Sequence, residues 1–149
     1  MVKTRVILII LLAPLFFSCG RSHSVLKDGY YNAESSGFDY SGWKEYLTIC
    51  VSGGKIILVE YNAYNSSGFV KSWDMECMRN MIAYIGTYPS EYYRYYARQL
   101  LRNQNIDSID VLTGATFSYW GFLELAKAVL DNAREGNSKT ALVNVGYFR

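Results

Sequence analysis

The chain has 149 residues, of which 50% are hydrophobic and 19% are charged, so it can bury the core of one domain. Its 15 Lys and Arg residues nearly balance its 13 Asp and Glu residues, which excludes the strongly basic class of nucleic-acid-binding proteins. A single histidine, His23, excludes a multi-histidine metal centre. The aromatic content of 16% suits a large core or a site for a planar ligand.

The first segment, residues 1–18, has the layout of an export signal. Lys3 and Arg5 precede an apolar run, Val6–Phe17. As a helix this run would be about 18 Å long, which is well short of the roughly 30 Å hydrocarbon core of a membrane. We therefore expect residues 1–18 to be a removable signal peptide rather than a membrane span.

Cys19 stands at the end of the apolar run, directly after the small residue Ser18. This arrangement resembles the lipobox of bacterial lipoproteins, in which the cysteine becomes the lipidated first residue. A cysteine buried in a core is the alternative, but no predicted core element lies nearby. We expect a lipid on Cys19, a tether over residues 19–27 and a domain over residues 28–149, held by the membrane on the periplasmic side or at the cell surface.

Within this domain, a β-hairpin is predicted over Trp43–Tyr64. Aliphatic residues alternate along its first arm, which is the period of a half-buried strand; they are Leu47, Ile49 and Val51. Gly53 and Gly54 predict the tight turn, and the β-branched and aromatic residues of Ile56–Tyr64 predict the second arm.

The middle of the chain changes to a helical period. Apolar residues at helical spacing predict a helix with its apolar stripe in the core; they are Met75, Met78, Ile82 and Ile85. Asp74 or Ser72 can cap the start of this helix, and Gly86 can end it.

Two further helices are predicted after this one. The second begins at Pro89, and its core face comprises Tyr93, Tyr96, Ala97, Leu100 and Leu101. Its charged residues, among them three arginines, occupy the solvated face. The third helix runs from Thr116 to about Arg134, and its core face comprises Phe122, Leu125, Ala126 and Val129. A final strand over Leu142–Phe148 completes an α+β fold in which helices pack on one face of an antiparallel sheet.

The segment Asp110–Thr116 leads from a short apolar stretch through Gly114 into the third helix. The first backbone N–H groups of a helix are unpaired and its dipole attracts negative charge, so this helix start is a candidate anion site. An ordinary N-cap, in which Thr113 or Thr116 accepts a backbone N–H, is the alternative. Local physics alone favours the N-cap.

The sequence Asp-Val-Leu-Thr-Gly-Ala-Thr over residues 110–116 resembles the Asp-x-x-Ser/Thr-Gly-Ala-Thr flavinylation motif of the FMN-binding domain family. Further short matches, in the order of the family's small lipoprotein branch, extend the resemblance over residues 28–130. The resemblance implies that a dedicated flavin transferase, using FAD as donor, links FMN through a phosphoester to the hydroxyl of Thr116.

The same resemblance implies roles for other residues. The residues assigned to the cofactor are Thr116, Asp110, Thr113, Gly114, Ala115, Ser118 and Lys71. Asp110 would be recognised by the transferase, and Lys71 would either balance the charge of the phosphate or reduced flavin or be a solvated lysine. The aromatic side chains that could stack on the flavin, or else serve the core, are Trp43, Tyr30 and Tyr119.

The function implied by the resemblance is that of a membrane-anchored extracytoplasmic flavoprotein, an electron carrier more than a stand-alone enzyme. Its partners would be the flavin transferase and a membrane redox complex of the NADH:quinone oxidoreductase or Rnf type. The alternative is a surface or periplasmic lipoprotein of the same fold that binds another ligand or partner and holds FMN loosely or not at all. The chain has no G-x-G-x-x-G dinucleotide-binding motif, which argues against an NADH-oxidising enzyme.

Overall fold

The computed structural model describes residues 25–146. The elements in chain order are β1 Gly29–Ser35, β2 Lys44–Ser52, β3 Lys55–Tyr64, a 3-10 helix Lys71–Trp73, α1 Met75–Ile85, α2 Pro89–Asn103, α3 Thr116–Glu135 and β4 Ala141–Val143. The predicted signal peptide (residues 1–18), the lipidated Cys19 and most of the tether lie outside the described residues. Within residues 25–146, no helix is long and apolar enough to cross a membrane.

The four strands form one sheet in the order β3-β2-β1-β4. The predicted hairpin is confirmed, because β2 and β3 pair antiparallel around the turn at Gly53 and Gly54. The α+β class is also confirmed, but the prediction of a purely antiparallel sheet is wrong. β4 pairs parallel to β1, with Ala33 opposite Ala141. Parallel neighbours need a long crossover, and the intervening hairpin and helices supply it here.

The core lies between the sheet and the helices α2 and α3. The predicted inward residues of α3 are all fully buried; they are Phe122, Leu125, Ala126 and Val129. Aromatic rings fill the space above β3, where Tyr61 and Tyr93 lie edge to face with their centroids 4.8 Å apart. Tyr96 stacks on Phe122 with a centroid distance of 5.5 Å. Much of the aromatic content of the chain therefore serves core packing.

The capping predictions for α1 are confirmed. The Asp74 side chain accepts a hydrogen bond of 2.9 Å from the N–H of Cys77, and Gly86 ends the helix in the left-handed region with φ of 79°.

The prediction that the apolar stripe of α1 lies in the core is wrong. Met75, Ile82 and Ile85 are 53%, 48% and 47% exposed, whereas Met81 packs against the core from an adjacent face of the helix. The physical reason is the position of α1: its principal neighbour is α2 rather than the sheet, so only a narrow part of its surface is covered.

Helix α2 follows the predicted pattern more closely. Pro89 lies in its first turn, and Tyr93, Tyr96 and Leu100 are buried. Leu101 is 38% exposed at the edge of the predicted core face. The buried set also includes Gln99, a polar residue whose role becomes clear at the candidate site.

Candidate functional site

A tight turn delivers the motif to the start of α3. The N–H of Ala115 donates to the carbonyl of Leu112 at 3.0 Å, and Gly114 between them has φ of +83°. A Cβ on Gly114 would lie 2.4 Å from Cγ2 of Ile85 and 3.2 Å from the carbonyl oxygen of Ile85. Glycine is therefore required both by the backbone conformation and by the close approach of the end of α1.

Two side chains of α2 hold the backbone of the motif. The hydroxyl of Tyr96 accepts a hydrogen bond from the N–H of Leu112 at 3.2 Å and donates one to the carbonyl of Ala115 at 3.1 Å. Gln99 pairs with both backbone groups of Asp110, since its Oε1 accepts from the N–H at 2.9 Å and its Nε2 donates to the carbonyl at 3.0 Å. Both ends of the motif are thus fixed to one helix.

The sequence prediction missed this supporting role of α2. Tyr96 was assigned to the core, which is correct for its ring, and Gln99 was not identified. The available signal was the polar Gln99 three residues after Tyr96 on a face that is otherwise apolar. A buried amide or phenol needs a hydrogen-bond partner, and here that partner is the motif backbone.

The helix start itself is open to solvent. Ala115 occupies the N-cap position of α3, and Ala has no side-chain acceptor, so the N-cap interpretation of Thr113 or Thr116 is wrong. Thr116 is the first residue of α3 and is exposed. Within residues 25–146, no hydrogen-bond acceptor meets the N–H groups of Thr116, Phe117 and Ser118. An accessible hydroxyl and unpaired N–H donors therefore lie side by side.

Two exposed aromatic residues follow Thr116 in the first turns of α3. The side chain of Phe117 is 79% exposed and that of Trp120 is 60% exposed. Trp120 follows Thr116 by four residues, so the two share one face of α3. The sequence prediction missed both residues. The available signal was the presence of large aromatic side chains on the face of α3 opposite its core residues.

Ser118 connects the helix start to the core. It is half-buried, and its carbonyl accepts a hydrogen bond of 2.8 Å from the hydroxyl of Tyr61. Burial raises the pKa of the neighbouring Tyr92 phenol well above its usual value. The hydrogen bond to Ser118 thus joins α3 to β3.

Asp110 and Lys71, two further predicted site residues, differ in their relation to the motif. Asp110 is exposed, with its backbone held by Gln99. The ammonium of Lys71 lies 5.4 Å from the centre of the half-buried Trp43 ring, so its identified contact is with Trp43 rather than with the motif.

The two predicted tyrosines differ in position. Tyr119 is half-buried and lies against Tyr96 and Trp120, with centroid distances of 5.9 and 5.1 Å. Tyr30 neighbours the inward-facing Tyr31 on β1 and is 64% exposed on the opposite face of the sheet, beside Cys50. The structure brings Tyr119 to the motif but not Tyr30.

No family model matches the chain. Over 131 residues, the chain is 37% identical to the 15 kDa lipoprotein of Treponema pallidum (strain Nichols), and the match covers 88% of this chain and 92% of that protein. The chain belongs to the 15 kDa lipoprotein family. This relationship supports the prediction of a small, membrane-anchored bacterial lipoprotein. Flavin attachment stays a prediction.

One solved structure shows the same fold as this chain. The CPE2226 protein from Clostridium perfringens is 39% identical, with a TM-score of 0.76, and the match covers 79% of this chain and 97% of that protein. A solution structure of a Clostridium thermocellum protein is 29% identical over 72% of this chain and 92% of that protein, with a TM-score of 0.48.

Proposed function

We propose that the chain is a membrane-anchored, extracytoplasmic flavoprotein that carries FMN in phosphoester linkage to Thr116 and transfers electrons. The observation that supports this most directly is the exposed Thr116 hydroxyl at the first position of a 20-residue helix with unpaired N–H groups. A bacterial lipoprotein family supports the extracytoplasmic location, with the lipid on Cys19.

The residues present suit a phosphate group. An esterified phosphate keeps negative charge, which the N–H groups of Thr116, Phe117 and Ser118 would neutralise in part. The helix dipole adds about 0.3–1 kcal/mol at such a position.

The surroundings of Thr116 also suit a planar ring. Trp120 presents exposed aromatic surface on the face of α3 that carries Thr116, Phe117 is exposed one residue after Thr116, and Tyr119 lies against Trp120. FMN supplies one- and two-electron exchange when bound. The chain supplies the attachment point and a rigid loop held by Tyr96 and Gln99.

Asp110 fits recognition by a flavin transferase that uses FAD. Its carboxylate is exposed, while its backbone is fixed by two hydrogen bonds to Gln99. A fixed, exposed acid is accessible to another protein without disturbing the turn. The electron-transfer partner in this proposal is a membrane redox complex, of the NADH:quinone oxidoreductase or Rnf type.

Intact-mass measurement tests the proposal. The full chain is co-expressed with a flavin transferase whose activity is verified on a second substrate protein. The wild type should gain the mass of FMN less one water, and Thr116→Ala should gain nothing. Thr140→Ala removes an exposed threonine hydroxyl outside the motif and should behave as the wild type. An unmodified wild-type mass overturns covalent attachment.

The alternative function, a ligand- or partner-binding lipoprotein without firmly held FMN, is supported by the apolar side chains that α1 exposes. The same measurement separates the two. A wild-type chain that stays unmodified and releases no flavin on denaturation favours this alternative.

A further inference from the structure

The chain that leads back to Cys19 leaves the domain at the C-terminal end of α3. The N–H of Lys27 donates to the carbonyl of Ala133 at 2.9 Å, and its ammonium donates to the carbonyl of Glu135 at 2.9 Å. Lys27 also packs against Gly136, just beyond the helix. The predicted lipid anchor is therefore connected to this end of the molecule.

Thr116 lies at the opposite end of the same helix. A helix rises 1.5 Å per residue, so about 27 Å separate Thr116 from Arg134 in the last turn. Between Cys19 and Lys27 there are eight residue steps, which span at most about 29 Å. The Thr116 end could face the anchoring membrane only if the tether ran back along the whole length of α3.

A cleft that combines apolar side chains with one acidic side chain lies at this far end. It has a volume of about 470 Å³ and is lined by Phe117, Trp120, Gly121, Glu124, Asn144, Val145 and Gly146. We call this surface the distal patch. Phe117 and Trp120 supply exposed aromatic area, and Glu124 supplies a carboxylate. Within residues 25–146, no Lys or Arg lines the cleft.

We propose that the distal patch is the docking surface for the electron-transfer partner, and that it binds a folded extracytoplasmic domain of that partner whose contact surface combines apolar side chains with Lys or Arg. This proposal rests on the proposed function, because it uses the lipid anchor and the site at Thr116. It adds the surface used, its position away from the bilayer and the chemistry of the partner.

Composition favours a protein over a lipid surface. Exposed aromatic residues are enriched at the centres of protein interfaces. Surfaces that bind anionic bilayers carry Lys and Arg, whereas the distal patch carries Glu124. Docking there places the partner next to Thr116, so one surface serves both attachment of the flavin and approach of the partner.

Photo-crosslinking of the full lipidated chain in the bacterium that makes it tests the partner. A photoreactive residue at the exposed Asn144 should give an adduct with one protein, identified by mass spectrometry as having an extracytoplasmic domain. The same residue at Lys127, exposed on the tether half of α3, is the matched control and should not give this adduct. Glu124→Lys should reduce the adduct about tenfold, since it reverses the charge that attracts the partner. Adducts with lipid, with a second copy, or with residues 147–149 of the same chain overturn the proposal, as does no adduct.

A vesicle experiment tests the orientation. The three tryptophans are Trp43, Trp73 and Trp120, so replacing the first two by Phe leaves Trp120 as the only fluorophore of its kind. Anchored to phosphatidylglycerol vesicles with brominated acyl chains, this variant should show no quenching of Trp120. Quenching overturns the proposal, and so does a chain that fails to float with the vesicles.

The crosslinking experiment also separates this proposal from the proposed function. A Thr116→Ala variant that keeps the crosslink from Asn144 supports docking even if flavin attachment fails.

Discussion

The hydroxyl of Tyr96 donates a hydrogen bond of 3.1 Å to the carbonyl of Ala115, the residue at the N-cap position of α3. The same hydroxyl accepts from the N–H of Leu112 at 3.2 Å, so one buried phenol closes the turn that presents Thr116. The geometry of the candidate attachment site is therefore set from α2.

Tyr96→Phe should destabilise the protein by about 1–3 kcal/mol, because the N–H of Leu112 and the carbonyl of Ala115 lose their partner in a buried setting. Urea unfolding measures the change, and hydrogen exchange of the Leu112 amide should become faster. Tyr95→Phe, at a half-buried neighbouring position, is the control. Unchanged stability and exchange in Tyr96→Phe would show that this hydroxyl does not hold the turn.

Gly114→Ala should lower the free energy of unfolding by about 2–4 kcal/mol. This loss combines the strain of a left-handed backbone at a residue with a Cβ and a clash of that Cβ with Ile85. Gly42→Ala is a matched control, since Gly42 has a similar φ of +81° and nothing lies within 4 Å of its Cβ position. Thermal unfolding of both variants separates the two contributions. An Ile85→Ala background should restore part of the stability lost in Gly114→Ala but none of that lost in Gly42→Ala. Equal losses in the two glycine variants would contradict the close contact.

Buried tyrosines should make the fold sensitive to alkali. Burial raises the pKa of Tyr92, and it also raises the pKa of Tyr96 and Tyr46, above the ordinary value of 10.0. Such a tyrosine contributes fully to the free energy of unfolding below pH 10. The contribution is lost as the pH rises above 10, because the tyrosine ionises at a lower pH in the unfolded chain than in the folded one.

The free energy of unfolding should therefore fall above pH 10, by at most about 1.4 kcal/mol per pH unit for each such tyrosine. Tyr92→Phe should flatten this dependence, as measured by urea unfolding at a series of pH values. Tyr84→Phe removes a solvent-exposed phenol and serves as the matched control. A dependence in Tyr92→Phe as steep as in the wild type would contradict the burial argument.

Asp74→Ala should loosen α1 locally. The carboxylate of Asp74 caps the helix through the N–H of Cys77, and loss of such a cap costs about 1 kcal/mol. Because α1 packs mainly on α2, the loss should appear as faster hydrogen exchange in α1 more than as a lower melting temperature. Asp74→Asn keeps a side-chain acceptor and should behave nearly as the wild type. If exchange at Cys77 is equally slow in Asp74→Ala, the cap does not stabilise α1.

The elements predicted well are those defined by nearby residues. The hairpin, the inward residues of α3 and the caps of α1 at Asp74 and Gly86 follow from local spacing and turn chemistry. The first turn of α2 at Pro89 does so as well.

The missed features depend on distant partners. β1 was not predicted as a strand, since Gly29–Ser35 is largely polar and its inward residues become recognisable only against β2 and β4. The apolar stripe of α1 has the spacing of a core helix, yet its position beside α2 leaves much of that stripe exposed.

The candidate site divides in the same way. The motif residues, Thr116 above all, could be proposed from the sequence because they are contiguous. The supports Tyr96 and Gln99 could not, because their contact with the motif arises only when α2 and the loop are packed together. The exposure of Phe117 and Trp120 likewise depends on which face of α3 the core covers.

The parallel pairing of β1 with β4 determines when folding of the sheet can be completed. Ala33, near the start of the domain, pairs with Ala141, which is synthesised last among the described strands. Contacts between such distant parts of a chain form late and slow folding. For a chain exported as an unfolded polypeptide, the sheet would close only after α3 and β4 had emerged on the far side of the membrane. The turn bearing Thr116, which relies on that packed core, would take its folded shape only after export was finished.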